Sequence, residues 1–340
     1  TEMKRRTMLA IAGGTLLGHE LGHPFIRPAA AAEFTYKFGS NMPAPHPLNT
    51  RMQQAADQIK HDTEGKLEIT IFPDGQLGSD PEMFSQLRSG ALEFFSLSGA
   101  NVLSGMVPNG AISGVGFAFK TPEQVFSAMD GELGAYIRAL IRKAGIEVLD
   151  KIWDNGFRQI TTSDKPIQGP ADLRNMKIRV PPGRLWVSLF QALSAAPTPI
   201  SFNEVYSALQ TKMVQGQENP LVVVDVAKLY EVQKFCSLTN HMWDGYWMLV
   251  NRAAWRRLPP DFQEIVAKRV NAAAVEQRQD VIKLNNSLQS GLEAKGLKRN
   301  TVEPQHCREA LNTAGFCTEW KKTFGEEEWA LLEKVSGKLT

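Results

Sequence analysis

The chain is short of cysteine, of charge of one sign and of long apolar runs, and each shortage removes a class of protein. Three cysteines in 340 residues are too few for a disulfide framework. Cys236 falls in an apolar stretch read as a buried strand, and Cys307 and Cys317 can pair only if the helix between them breaks near Gly315. Lys and Arg number 38 against 36 Asp and Glu, and no basic run is dense enough for a nucleic-acid footprint. The longest early apolar run, Leu9–Leu17, falls well short of the roughly 20 residues that span a bilayer, and no later stretch reaches that length. Direct membrane insertion is therefore not expected. No P-loop, nucleophile elbow or Ser/His/Asp spacing occurs, and Gly114-Val115-Gly116 lacks the third glycine of a dinucleotide fingerprint.

What is present suits a globular protein of two domains: 43% hydrophobic and 22% charged residues over a length ample for two cores. The first 32 residues read as a twin-arginine signal, with Lys4-Arg5-Arg6-Thr7-Met8-Leu9, a short apolar run, and Ala29–Ala32 before an expected cut after Ala32. His19, Glu20, His23 and Arg27 interrupt that pattern. The expected product is an exported, soluble, periplasmic protein. His19-Glu20-Leu21-Gly22-His23 also fits H-E-x-x-H, where two histidines on one helical face bind zinc. Gly22 and Pro24 weaken that helix and the segment precedes the expected cut. A zinc peptidase is thus a distant alternative, and no metal or cofactor is expected.

Strand and helix patterns alternate along the rest. Tyr36–Gly39 and Leu67–Phe72 read as strands, with a helix over Asn49–Thr63 between them. A helix over Pro81–Ser89, capped by Ser79 or Asp80, leads to a strand over Ala91–Leu97 ending in Ser98-Gly99. Thr121–Gly145 reads as one helix and Glu147–Ile152 as a strand. A second series begins after Asp154-Asn155-Gly156 and includes strands at Arg158–Thr162 and Lys177–Val180 and helices at Pro170–Arg174 and Arg184–Ala195. Trp243–Val250 reads as a strand re-entering the first domain, and Asp261 to about Gly296 as one helix long enough to cross both. This is an α/β pattern with mainly parallel sheets flanked by helices.

The most informative stretch is Met176-Lys177-Ile178-Arg179-Val180-Pro181-Pro182, read with Gly216-Gln217-Glu218-Asn219-Pro220. Apolar and basic residues alternate, and the prolines end the strand. Arg179 therefore stands at a strand mouth, where open α/β sheets place ligands, and its guanidinium matches a carboxylate two bonds at a time. From these residues alone, an edge arginine in water is equally open.

From Phe34 to about Gly296 the chain resembles the solute-binding proteins of tripartite ATP-independent periplasmic (TRAP) transporters. The resemblance is carried by Pro73–Asp80, Trp153–Ile167, Asp172–Pro182, Pro197–Gln210, Gly216–Pro220 and Tyr230–His241 in the family's order and spacing. It implies a two-lobed periplasmic binding protein without catalysis, closing over an organic acid anion and serving membrane permease subunits. The lobes would be residues 33–155 with 245–284, and 156–244 with 285–340. It also implies Arg179 as the principal carboxylate clamp, Arg158 as a second cation and Asn219 as a hydrogen-bonding partner. Phe202 would border the ligand, and Asn41 and His46 lie in a loop that often supplies polar contacts. Each has a plainer alternative: surface arginine, turn residue, core aromatic, loop packing.

Glu218 beside two arginines could act as a base, or could pair with one of them and hold it in place. Ser98 stands where sugar-acid binders of this family carry an acid, which disfavours a polyhydroxylated ligand. Trp153, Trp243, Tyr246 and Trp247 place large rings near the domain crossovers, some for hinge packing and some for a flat ligand. Arg184 could reach a second carboxylate or face solvent. The expected ligand is a monocarboxylate with an apolar or aromatic body, such as a 2-oxo or 2-hydroxy acid, with dicarboxylates and sugar acids behind. Two other classes stay open: an acid/base enzyme using Glu218 and His46, and a binding protein that serves a signalling receptor.

Overall fold

The computed structural model describes residues 32–339, so the twin-arginine run and the His19–His23 motif lie outside the described residues. The strands are β1 (Phe34–Gly39), β2 (Leu67–Phe72), β3 (Phe94–Ser98), β4 (Ile146–Val148) and β5 (Trp153–Phe157). They continue as β6 (Gln159–Thr162), β7 (Lys177–Val180), β8 (Ala196–Pro199), β9 (Gly216–Asn219), β10 (Phe235–Leu238), β11 (Trp243–Asn251) and β12 (Lys298–Thr301). One sheet runs β2-β1-β3-β11-β4, with β5 also on β11, and the other runs β12-β10-β6-β9-β7-β8. Helices flank both, giving a two-lobed α/β fold.

Each sheet is mixed. Pairs built through helical crossovers are parallel: β1 with β2 and β3, and β7 with β8 and β9. Strands that bring the chain back from the other lobe are antiparallel, as β11 is to β3, β4 and β5. A strand returning directly needs no helix to reverse it, which is why the parallel arrangement is interrupted there.

The local reasons for the helices sit in their caps. Helix Pro47–Asp62 begins at His46, whose Nδ1 accepts from Leu48 N at 3.2 Å. Helix Asp80–Ser89 opens on a capping box of Ser79 and Glu82 and ends at Gly90, left-handed at φ 85°. The single helix expected over Thr121–Gly145 is two, Pro122–Asp130 and Glu132–Lys143, broken at extended Gly131. A similar break at left-handed Gly315 (φ 71°) separates Pro304–Thr313 from Phe316–Phe324. Even with that break, Cys307 and Cys317 are unbonded and buried, and burial pushes both thiols up to about 11.

The chain passes between the lobes at β5–β6 and again from β10 to β11. Gly156 in β5 holds φ 111°, and a Cβ there would meet Asn285 Nδ2 at 2.8 Å, so glycine is required at this crossing. The long helix Pro260–Ala294 braces it. Gln277 Oε1 accepts from Asp154 N at 2.9 Å and Gln277 Nε2 donates to Asp154 O at 2.7 Å. Arg278 donates to Ile152 O at 2.7 and 2.9 Å and to both oxygens of Asp130. The same helix touches helix Pro47–Asp62 of the first lobe and helix Leu221–Val226 and β12 of the second. The closing helix Glu326–Ser336 packs on Pro122–Asp130 and Glu132–Lys143, while Pro304–Thr313 packs on Arg184–Ala192.

Candidate functional site

The site is built where β7, β9 and the crossing segments meet the loops after β1 and β3. Arg179, on β7, is only 1% exposed. Its Nε donates to Ile200 O at 2.9 Å, its guanidinium lies 5.9 Å from the centre of the Phe202 ring, and among the described residues its Nη1 has no hydrogen-bond partner. Burial pulls Arg179 down to about 9, with Glu218 opposing and Arg158 assisting. It remains a cation at neutral pH, held in a dry place with donor capacity unspent.

Arg158, between β5 and β6, is also buried but is covered by acids. Its Nε donates to Glu218 Oε2 and its Nη2 to Glu218 Oε1 at 2.8 Å, Glu218 O at 2.8 Å and Asn219 Oδ1 at 3.0 Å. Nη1 donates to Asp244 Oδ2 at 3.2 Å, and the guanidinium lies 5.3 Å from the Trp186 ring centre. Glu218 is held by Arg158 and by His241, whose Nε2 is 3.1 Å from Oε2, and although burial raises it, these partners bring it below the ordinary carboxylate value. Glu218 is thus spoken for as a counter-ion, which leaves no free base beside Arg158.

Asn219 accepts from Arg158 and donates through Nδ2 to Gln217 Oε1 at 2.6 Å. Across the lobe interface, Asp80 Oδ2 accepts from Asn41 Nδ2 at 2.9 Å and Asn101 Nδ2 at 2.8 Å, whereas Asp80 Oδ1 and Asn41 Oδ1 have no partner among the described residues. Burial raises Asp80 to about 6 against the pull of the two amides and Arg179. Asn41 and Phe202 line a groove of about 400 Å³ formed by both lobes. Asn101 and Arg184 line another of about 660 Å³, where Arg184 is exposed. Asp80 connects the two grooves through its amide partners.

Ser98 does not leave its place without an acid: its Oγ donates to Asp244 Oδ1 at 2.6 Å. The carboxylate comes from the adjacent strand β11, so the argument against a hydroxylated ligand drawn from Ser98 loses its force. Trp243 donates through Nε1 to Asp154 Oδ1 at 2.8 Å, inside the crossing strands. Trp153 packs in the first lobe's core beside Tyr246 and Met248. His46 is a cap residue: burial lowers it to about 3, so it is neutral, and its hydrogen bond goes to Leu48 rather than to the charged cluster. The arrangement thus gathers Arg179, Arg158, Asn219, Glu218, Phe202, Ser98 and Asn41, and places His46, Trp153 and Trp243 in structural positions.

Residues absent from the sequence reading complete it: Asp244, Asp80 as more than a cap, and Trp186, whose indole Nε1 is buried without a partner. Asp244 carried a signal, since an acid inside the otherwise apolar strand Trp243–Asn251 demands a buried partner. Among the described residues, no group of His, Cys, Asp and Glu is placed to hold a metal ion, and no helix is long and apolar enough to cross a membrane.

Two buried arginines on one lobe, facing amides and an acid of the other across a hinge, suit anion capture. Residues 38–320 match the family described as bacterial extracellular solute-binding protein, family 7 (DctP). The chain belongs to this family. It is 33% identical over 242 residues, 71% of this chain and 73% of the relative, to the 2,3-diketo-L-gulonate-binding periplasmic protein YiaO of Escherichia coli (strain K12). A TRAP periplasmic solute-binding protein of Sulfurospirillum deleyianum, solved with bound succinate, superposes with a TM-score of 0.83 at 28% identity, over 90% of this chain and 99% of that one. The sugar acid binding protein DctPAm of Advenella mimigardefordensis, in complex with galactonate, gives a TM-score of 0.86 at 25% identity, over 91% and 100%. This DctP-family chain is a TRAP-type solute-binding protein and not an enzyme.

Proposed function

We propose that the protein is an exported binding protein that closes over an organic acid with one carboxylate and hands it to a TRAP-type permease. The observation that carries this reading is the contrast between the two arginines. Arg158 is covered by Glu218 and Asp244, whereas Arg179 keeps Nη1 without a protein partner in a buried setting. One carboxylate seat, not two, is what this leaves. With Glu218 and Asp244 both paired to Arg158, the charge a ligand carboxylate meets is that of Arg179, one cation for one anion.

The ligand body would lie against Phe202 and Trp186, which favours a 2-oxo or 2-hydroxy acid with an apolar or aromatic portion. A sugar acid is the second reading, and one observation favours it: the unpartnered oxygens of Asp80 and Asn41 are acceptors suited to hydroxyl groups. Closure would turn residues 33–155 with 245–284 against 156–244 with 285–340 about the crossing strands. The contact of the last helix with the first lobe's helices would then slide. Both lobes contribute ligand contacts in this scheme, as differential affinity for the closed state requires.

A thermal-shift screen of organic acids tests the reading, because a ligand specific to the folded state raises its melting temperature. A monocarboxylate is expected to raise it by several degrees at about 100 times its dissociation constant. A screen in which only dicarboxylates stabilise, or in which no acid does, contradicts it.

A further inference from the structure

Asp244 is a buried acid on β11, hidden in the sequence pattern between Trp243 and Gly245. It is held from three sides. Oδ1 accepts from Ser98 Oγ at 2.6 Å; Oδ2 accepts from Asn155 Nδ2 at 3.1 Å and from Arg158 Nη1 at 3.2 Å. Ser98 belongs to the first sheet and Arg158 to the crossing segment leading into the second, so the carboxylate sits between the lobes. Its position is set by backbone as well: β11 changes register against β5 between Asp244 and Gly245. A Cβ at Gly245 would overlap the Trp243 ring, which fixes glycine beside it.

Arg158 has five N–H donors in one plane. Glu218 and Asn219 occupy the Nε and Nη2 edge, and Asp244 occupies Nη1. We propose that Asp244 is a specificity-determining residue: it takes the edge of Arg158 that a second ligand carboxylate would need, and so restricts the cleft to acids with one carboxylate. This rests on the reading of the cleft as an organic-acid site.

A second carboxylate would have to displace Asp244 from Arg158 or lie against it. Asp80 and Glu218 both act on Arg179, and Asp80 also feels the charge of Asp244. Like charges at short range in a low-dielectric site repel strongly, and specificity built on such repulsion is a negative element rather than a better contact. The Tyr246 hydroxyl, among Asp244, Asp80, Arg158 and Arg179, adds no cation to offset it. Asn at this position removes the negative charge while its amide oxygen can still accept from Nη1, and the shorter Ser removes the charge and frees Nη1.

The test is titration calorimetry of the full chain with pyruvate, D-galactonate and succinate, for the wild type, Asp244→Asn and Asp244→Ser. Expected is a wild-type preference of at least about tenfold for one of the monocarboxylates over succinate, falling by about tenfold or more in both variants through a gain for succinate. A residue that merely steadied Arg158 would weaken all acids alike, so a ratio unchanged within about threefold in both variants overturns the proposal. If Asp244→Asn fails to fold, Asp244→Ser decides alone. Wild-type protein that takes succinate best overturns it while leaving the organic-acid reading in place. Wild-type protein that binds no acid, in this panel or in the wider thermal-shift screen, removes that reading and this one with it.

Discussion

Ser98 on β3 donates to Asp244 on β11 at 2.6 Å, although strand register sets Ser98 opposite Tyr246. The diagonal bond satisfies a buried carboxylate oxygen, Oδ1, to which no other hydrogen bond runs among the described residues. Removing one partner of such a bond leaves a desolvated acceptor, at about 1–3 kcal/mol. We expect Ser98→Ala to lower unfolding free energy by that amount in urea titrations, and Ser98→Thr to retain most of it. An Ala variant as stable as the parent shows that Asp244 finds its donors elsewhere.

Glu218 and Arg158 form a buried pair in which the acid meets the guanidinium with both oxygens. Breaking a buried pair from one side is expected to cost about 3–5 kcal/mol, since the remaining charge stays in the protein interior. Glu218→Gln should therefore lower the urea midpoint sharply with little change in slope. A loss below about 1 kcal/mol would place the charge pair in contact with water.

Stability should depend on pH through the crossing strands. Burial raises Asp154 to about 7 from an ordinary value of 3.8, with Trp243 and Arg278 pulling the other way and Asp244 assisting. Between about pH 4 and 7 the folded chain thus holds a proton that the unfolded chain has released. Stability without ligand falls as pH rises through that window, with Asp154 contributing on the order of 3 kcal/mol. Asp154→Asn keeps the acceptor for Trp243 Nε1 and should make the profile shallower, leaving the part that Asp80 and Glu328, raised to about 6 and about 8, contribute. Identical profiles for both proteins from pH 4 to 7 contradict the assignment.

The three thiols should be inert in the folded protein. Cys236, Cys307 and Cys317 are buried, and desolvation pushes them up to about 12, 11 and 11. The thiolate is the reactive species, so an aromatic disulfide reagent at pH 8 should label none within minutes and all three in denaturant. Rapid labelling of the folded chain by one equivalent would show an exposed thiol.

Much of this site could be read from neighbouring residues in the chain. The alternation of Lys177, Ile178, Arg179 and Val180 before two prolines marks a strand that ends in a cation, and β7 forms there. Local pattern could not say that Arg179 would be buried, because burial comes from the other lobe and from β8 and β9 on either side. Asp80 reads locally as a helix cap, and only the meeting of Asn41 and Asn101 around it makes it part of the cleft. Trp243 was legible as an aromatic at a crossover but not as a hinge donor, since its partner Asp154 lies on the other crossing strand. Gly131 divides a helix whose apolar spacing continues through it, so periodicity alone joined the halves. Where a role depends on which charges converge, as for Arg158 and Asp244, distance along the chain conceals it.

The Arg179 guanidinium is expected to seat the ligand carboxylate. Among the described residues its side chain makes one hydrogen bond to protein, from Nε to Ile200 O, so Arg179→Ala should leave a folded protein, which circular dichroism checks. Titration calorimetry of Arg179→Ala with the acid that most stabilises the parent chain is the direct measurement. The expected result is a loss of a few hundred-fold or more, about 3–5 kcal/mol, as for truncating one side of a buried charge pair. Affinity within about threefold of the parent contradicts the claim.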